Sequence, residues 1–501
     1  MPQTKLLQSQ TVFDMNKEIR IQKIDEIINR DKDNPFNKIE IPWEDDLVTM
    51  NVYKIPLDLL VYNKYNGRIL SRTKSLETQS HSIDEYSEEG KKIIECLLWD
   101  SKPDRNRKTQ KNIADFGQQK VGIITKDGII IDGNRRAMLL NDIQNEGLLS
   151  GRKFEKKYDY FKAVVLPVTL KENPLEIEKL ETSFQMGEDQ KLGYNATEKY
   201  LKAKELYHRL TGGKDFTPSN INENAIAKIA DWMGEQKSEI KSYLSTMMVM
   251  DEYLFFFGYD GIYTQLDKRE DQFLFLTKWL GTFYGESSKK AFDGYTDDDV
   301  DNLKEIAFDY LRIRNEYDGK EFRNLADGQS ENHFFGDKSI WASFLSKHEE
   351  IRREISEEPE IDFNSNDLKS HLDDRDNKYF EASKFDGKNS AFIENLKDHK
   401  TNVEYNRSAG APEKLVKKAS QAFSSIKQNH NAFTKPEVQK VVQDLAMQVT
   451  NSMLKKSPLS LLQHIESLVK SFDIDNVSDS EMDEVQKTAK EINKLLYPIY
   501  K

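Results

Sequence analysis

One cysteine stands in a chain of 501 residues, which excludes an intramolecular disulfide and any metal site built from several thiolates. Cys96 lies in the apolar run Ile93 to Trp99, so a buried structural thiol is expected rather than a nucleophile. Long apolar runs are missing too. No stretch approaches the ~20 residues a membrane-spanning helix needs, and Met1 to Gln10 lacks the apolar core of a secretion signal. The expectation is a cytoplasmic protein with no membrane partner. Positive charge is in deficit: the formal net charge is -12, and most of such a surface repels phosphate. Any DNA contact must come from a local basic patch. The histidines are scattered with no pair at helical metal-ligand spacing, and neither a Gly-x-Ser-x-Gly elbow nor a Walker lysine loop is present.

The most informative stretch runs from Asp127 to Leu140, Asp-Gly-Ile-Ile-Ile-Asp-Gly-Asn-Arg-Arg-Ala-Met-Leu-Leu. Asp127-Gly128 is a two-residue hairpin signal, Ile129 to Ile131 form a β-branched run, and Ala137 to Leu140 resume at helical spacing. Between them, Asp132 to Arg136 read as a loop from a strand into a helix. Gly133 allows close backbone approach, the helix N-terminus offers N–H groups, and Arg135 and Arg136 supply planar forks that match phosphate oxygens. That is how an anion cradle is built. The alternative is a surface turn whose arginines only solvate the loop.

Around this stretch the chain alternates short strands and helices. Residues 11–31 read as a helix with an apolar stripe of Ile19, Ile21, Ile24, Ile27 and Ile28. Residues 52–60 form an extended segment interrupted by Pro56, and Tyr62 to Arg68 a turn-rich loop. An amphipathic helix over 85–99, a charged loop over 100–111, a helical turn ending at Gly117 and strands over 121–125, 129–131 and 161–169 complete a small mixed α/β domain.

This order of features resembles the N-terminal domain of the ParB and sulfiredoxin superfamily. Asn63 to Arg68 keeps an asparagine and an arginine at the family's spacing, Ile113 to Gln118 is similar to its glycine-ended turn, and Gly133 to Arg136 is similar to its arginine loop. Glu181-Thr182-Ser183-Phe184-Gln185, then Asn195 and Glu198, follow in matching order. The chain departs from partition proteins at Asn134, where they carry glutamate, and at Thr182 and Gln185, where they carry asparagine and arginine. Asp132-Gly133-Asn134-Arg135-Arg136 resembles instead the Asp-Gly-x-x-Arg members, which include regulators and nucleases of DNA-modification and phage-defence systems and a free-serine kinase. The resemblance spans residues 50–255 and implies a nucleoside triphosphate, CTP or ATP, bound with Mg2+. It places phosphates on Arg135 and Arg136, loop shaping on Gly133 and Asn134, closure over the nucleotide on Arg68 and help in holding magnesium on Glu181.

Further along, residues 175–210 form a long helical region broken at Gly187 to Gly193. In residues 224–244, Ala230, Gly234 and Ile240 have helix-turn-helix spacing: a small residue for close crossing, a glycine for the turn and a branched anchor for the second helix. The second helix begins near Gln236 and offers Gln236, Lys237, Ser238 and Lys241 to DNA, with Lys228 nearby. Two ordinary packed helices are the alternative, because Glu235 and Glu239 face phosphate badly. The aromatics of residues 245–285 read as a helical core and Asp297 to Asp301 as a charged helix start. Residues 412–501 form four helical stretches.

The expected fold is α+β, a small ParB/sulfiredoxin-like α/β domain followed by mostly helical domains. The expected divisions are a helical appendage over 1–49, the α/β domain over 50–175, helices with the helix-turn-helix over 176–285, a helical extension over 286–355, a polar linker over 356–411 and a C-terminal helical bundle over 412–501, a module for homodimerisation or for binding another partner. The expected function is nucleotide-responsive DNA binding in a partition, DNA-modification or phage-defence system. The competing reading is a phosphotransferase, nucleoside triphosphatase or DNA nuclease with Asp132 as general base or metal ligand, against which stands a loop-capping aspartate.

Overall fold

The computed structural model describes residues 16–79, 82–149, 158–184, 195–285, 288–313, 321–355, 358, 360–363, 367–382, 384–385, 389–408, 412–454 and 457–500. Residues 1–15, Gln185 and the break at Gly187 to Gly193 lie outside them. The chain divides into two units, Met1–Arg407 and Ser408–Lys501, and the described residues form eighteen helices, a five-stranded sheet and a two-stranded ribbon. It is a mixed α+β protein.

The sheet region contains α1 (Lys17–Asp31), β1 (Asn37–Trp43), β2 (Asp46–Pro56), α2 (Leu70–Thr78), α3 (Glu88–Ser101), α4 (Pro103–Phe116), β3 (Gly122–Ile124), β4 (Ile130–Asp132), α5 (Asn134–Leu149), β5 (Tyr160–Val165) and α6 (Pro174–Thr182). Strand order is β1-β2-β5-β3-β4, antiparallel throughout except for the parallel β3/β5 pair. Side chains alternate across a sheet, and here both faces are covered. Tyr53, Ile55, Ile124, Ile130, Phe161 and Ala163 join a core with α1, α3, α4 and α5, while Val52, Ile123, Ile129, Ile131 and Val164 join another with α6. The three consecutive isoleucines are buried because they feed both cores.

Three expectations are corrected here. The sheet starts before residue 50: β1 and the first part of β2 fall within the supposed helical appendage, where Ile39, Ile41 and Trp43 alternate with charged or ring-locked residues as an edge strand does. Residues 103–111 belong to α4 rather than to a loop, because Pro103 at its first turn and the arginines, lysines and glutamine behind it suit a helix. Cys96 is exposed on α3, off the stripe that buries Ile94 and Leu98, and burial of its surroundings pushes the thiol up, away from thiolate reactivity.

The helical part of the first unit comprises α7 (Ala196–Leu210), α8 (Glu223–Met233), α9 (Lys237–Phe256), α10 (Glu270–Phe283), α11 (Asp297–Arg312), α12 (Lys338–Glu354), α13 (Leu368–Ala382) and α14 (Ala391–Ser408). Tyr253, Phe273, Trp279, Phe283, Phe308 and Phe335 pack in its core, as the aromatic richness predicts. At the start of α11, Asp299 accepts the Thr296 backbone N–H at 2.9 Å, so the acidic run caps a helix. The polar linker is overturned. Leu368, Leu372, Tyr379, Phe392, Ile393 and Leu396 are buried in the same core. Arg312, 2% exposed, clamps the segment by reaching Glu358 at 2.7 Å and Asp376 at 3.0 Å, between the rings of Phe257 and Tyr379 at 4.3 Å each.

The second unit holds α15 (Pro412–Ser424), α16 (Pro436–Leu454), α17 (Pro458–Ser471) and α18 (Met482–Tyr500), with α16 packed along α17. The first three each start on a proline, whose missing N–H costs nothing at that position. Apolar side chains of these helices, among them Val416, Val441, Leu459 and Leu495, are exposed. No helix of the described residues is long and apolar enough to cross a membrane.

Candidate functional site

The turn from β4 into α5 is shorter than the sequence suggests. Asp132 closes the strand and only Gly133 lies between it and the helix, so Asn134, Arg135 and Arg136 occupy the first helical turn. Gly133 has φ +110°, and a Cβ there would stand 2.6 Å from the Phe161 ring, so only glycine suits the position. Asn134 is 2% exposed. Its Nδ2 donates to the Ile130 carbonyl at 3.0 Å and its Oδ1 accepts the Asn63 backbone N–H at 3.0 Å, tying the turn to the loop that carries Arg68.

Arg136 donates to the Asp132 carboxylate at 2.7 Å and to the Val121 carbonyl at 3.3 Å, and Arg135 reaches Ser101 Oγ at 3.3 Å. Both guanidiniums border a cleft of about 240 Å³ together with Arg68 and Asn66. Arg105, Thr109 and Asn112 line it from one face of α4, while Gln119 and Lys120 do so from the following loop. Among the described residues, the lining of the cleft includes the cationic side chains of Arg68, Arg105, Lys120, Arg135 and Arg136 and the carboxylate of Asp132. The N-terminal turn of α5 opens onto the same space and adds the positive end of its dipole. Chemically, such a lining suits an anionic group. Comparison of the chain with models of protein families, with curated proteins and with solved structures finds no match.

The structure therefore brings Arg68, Asp132, Gly133, Asn134, Arg135 and Arg136 together and adds Arg105, Thr109, Asn112 and Lys120, which sequence reasoning missed. Residues 105, 109 and 112 share a helical face, a spacing that carries meaning only in a helix. Glu181 does not line the cleft. It is 5% exposed, accepts from Asn63 Nδ2 at 3.3 Å and lies 3.7 Å from Lys202 Nζ. Lys202 also donates to Glu178 at 3.1 Å, and Glu178 pairs with Arg209 at 2.8 Å. Among the described residues no group of three or more histidine, cysteine, aspartate or glutamate side chains could hold a metal ion.

This buried polar chain runs from Asn134 through Asn63, Glu181 and Lys202 into α7. A second link starts two residues beyond Ile69, where Ser71 donates from Oγ and backbone N–H to Glu198 at 2.5 and 3.1 Å. Helix α7 in turn packs against α8 and α9: Ala203, Leu206, Ile226, Ile229, Ala230, Ile240 and Leu244 form one core. Gly234 takes the left-handed conformation at φ 66°, ψ 30°, Ala230 and Ile240 are buried, and α9 starts directly after Gln236. Helix-turn-helix spacing thus corresponds to a tri-helical unit.

Gln236, Lys237 and Ser238 are exposed at the start of α9. The glutamates that weighed against DNA contact are engaged locally, Glu235 with Lys199 at 2.8 Å and Glu239 with the Gln236 backbone N–H at 2.9 Å. Lys241 is paired with Glu223 at 2.6 Å. Lys228 is exposed on α8.

Proposed function

We propose that the chain is a ParB-like, nucleotide-responsive DNA-binding protein. A nucleoside triphosphate, CTP or ATP, lies in the cleft with its phosphates on Arg135, Arg136 and the α5 N-terminus and with Arg68 closing over it. DNA engages the start of α9 through Gln236, Lys237, Ser238 and Lys241. The observation that carries this reading is the convergence of five cations on the turn from β4 to α5, beside two buried hydrogen bonds and an ion pair that lead from that turn to the tri-helical unit. Asp132 acts here by orienting Arg136 rather than as a general base, because its carboxylate is already engaged at 2.7 Å. A second copy of the chain covers the exposed apolar side chains of the C-terminal helices and makes a homodimer. Service in partition, DNA modification or phage defence fits this behaviour.

Equilibrium binding of the common ribonucleoside triphosphates to wild type and to Arg135→Ala/Arg136→Ala tests the cradle. Each charge-assisted phosphate bond contributes ~1.5–3 kcal/mol, so the double variant loses at least about a hundredfold in affinity. Unchanged affinity removes the assignment.

A further inference from the structure

We propose that the base of the ligand in the cleft stacks on Phe116, an inference that rests on the cradle reading above and makes Phe116 a binding residue for the nucleoside part of a nucleoside triphosphate. Phe116 closes α4 with its phenyl ring 69% exposed. Single apolar side chains on a surface are ordinary, but this one stands where the cleft ends. Arg105, Thr109 and Asn112 line the cleft from one face of α4, and Phe116 follows one turn beyond Asn112 on that same face. The chain then returns to the cleft at Gln119 and Lys120.

The cleft alone is too small for a whole nucleotide. Its volume is about 240 Å³, below the ~300–1,000 Å³ of pockets that enclose a drug-sized ligand. A phosphate chain seated at the turn from β4 to α5 therefore leaves its nucleoside outside. From Arg105 to Phe116 the helix rises about 16 Å, and along this face it offers a guanidinium, then a hydroxyl and an amide, then an aromatic ring. That order suits phosphate, sugar and base.

The end of the helix that carries the ring is held in place. Ile113 is buried, and Gly117 turns the chain at φ +73° while its N–H donates to the Ile113 carbonyl at 2.8 Å. Gln119 Nε2 donates to the Phe116 carbonyl at 2.6 Å, and the Tyr158 hydroxyl donates to the Ala114 carbonyl at 2.5 Å. A platform fixed in this way loses little freedom when a base lands on it. Every base has a π face, so the ring favours a nucleoside without choosing between CTP and ATP.

Calorimetric titration of the full chain with CTP, ATP and inorganic tripolyphosphate, in wild type, Phe116→Ala and Phe116→Trp, tests the stack. Phe116→Ala should bind the nucleotide about tenfold more weakly, within the range alanine substitution gives for base–aromatic stacking, and should bind tripolyphosphate as wild type does. Phe116→Trp should bind the nucleotide at least as tightly as wild type. Nucleotide affinity unchanged in Phe116→Ala, or a loss equal for nucleotide and tripolyphosphate, overturns the inference while the cradle stands if Arg135→Ala/Arg136→Ala still loses the nucleotide. Nucleotide binding that is absent in wild type or indifferent to the double arginine variant overturns the cradle and this inference together.

Discussion

Glu198 is a carboxyl group held where water does not reach. It is 2% exposed, and burial pushes its pKa up to about 7 although the hydrogen bonds from Ser71 and the charge of Arg72 pull the other way. A carboxyl whose folded pKa lies above its unfolded value is stabilising when protonated, so its contribution is present at low pH and lost as pH rises from the unfolded pKa through about 7. The shift from 4.5 corresponds to ~3 kcal/mol. Glu198→Gln keeps the acceptor for Ser71 without the charge. Urea unfolding should therefore show the variant more stable than wild type by up to ~3 kcal/mol near pH 8, with the gain vanishing near pH 4.5. Equal stabilities near pH 8 would contradict this account of the site. Gly133, Arg135 and Arg136 were legible in the sequence because a glycine and two arginines before a helix have a mechanism of their own. The resemblance points to Asn63 and Glu181, but their pairing with each other, and that of Glu181 with Lys202, is not legible, since the first spans 118 residues and no local pattern announces either.

At the scale of elements, α8 and α9 could be read because the helix-turn-helix is a local unit: a small residue, a turn glycine and an anchor within a dozen positions. Helix α4 is hard to read because its charge density resembles that of a loop, and α13 and α14 because their apolar residues are sparse and meet a distant core. Arg312 shows what holds α13 in place. Asp376→Ala leaves the buried guanidinium only the Glu358 carboxylate, so chemical denaturation should report a loss of ~1.5–3 kcal/mol, the worth of a hydrogen bond to a charged group. If the variant loses less than about 1 kcal/mol, the clamp is incidental. For DNA, each phosphate contact contributes about -0.9 to the slope of log affinity against log salt. Three lysines alone would give a slope near -3, but the pairing of Lys241 with Glu223 means that Lys241 contributes less than Lys237. In gel-shift titrations Lys237→Ala should flatten the slope by about one, Glu223→Gln should strengthen binding, and Gln236→Ala should change sequence preference with little change in salt dependence. A wild-type slope left intact in Lys237→Ala would make α8 and α9 a packed scaffold.

For the molecule as a whole, the proposed function sets a net charge of -12 beside a cleft with five cations in its lining: on that reading, a chain repelling polyanions over most of its surface would admit them only where cations are gathered. The exposed apolar side chains of the second unit predict self-association. Sedimentation of the full chain should show a dimer, and Val441→Asp/Leu495→Asp should shift it to monomer. A wild-type chain that sediments as a monomer at micromolar concentration removes the homodimer. In the proposed function the cleft and the tri-helical unit act on one another through α6 and α7. Linkage makes this measurable, since a ligand can shift DNA affinity only by its differential binding to the two states, and reciprocally. The deciding measurement is the dissociation constant for DNA with and without saturating triphosphate, in wild type and in Arg135→Ala/Arg136→Ala. The account predicts a change of about fivefold or more in wild type and none in the variant, whereas a wild-type DNA affinity indifferent to bound triphosphate would contradict it.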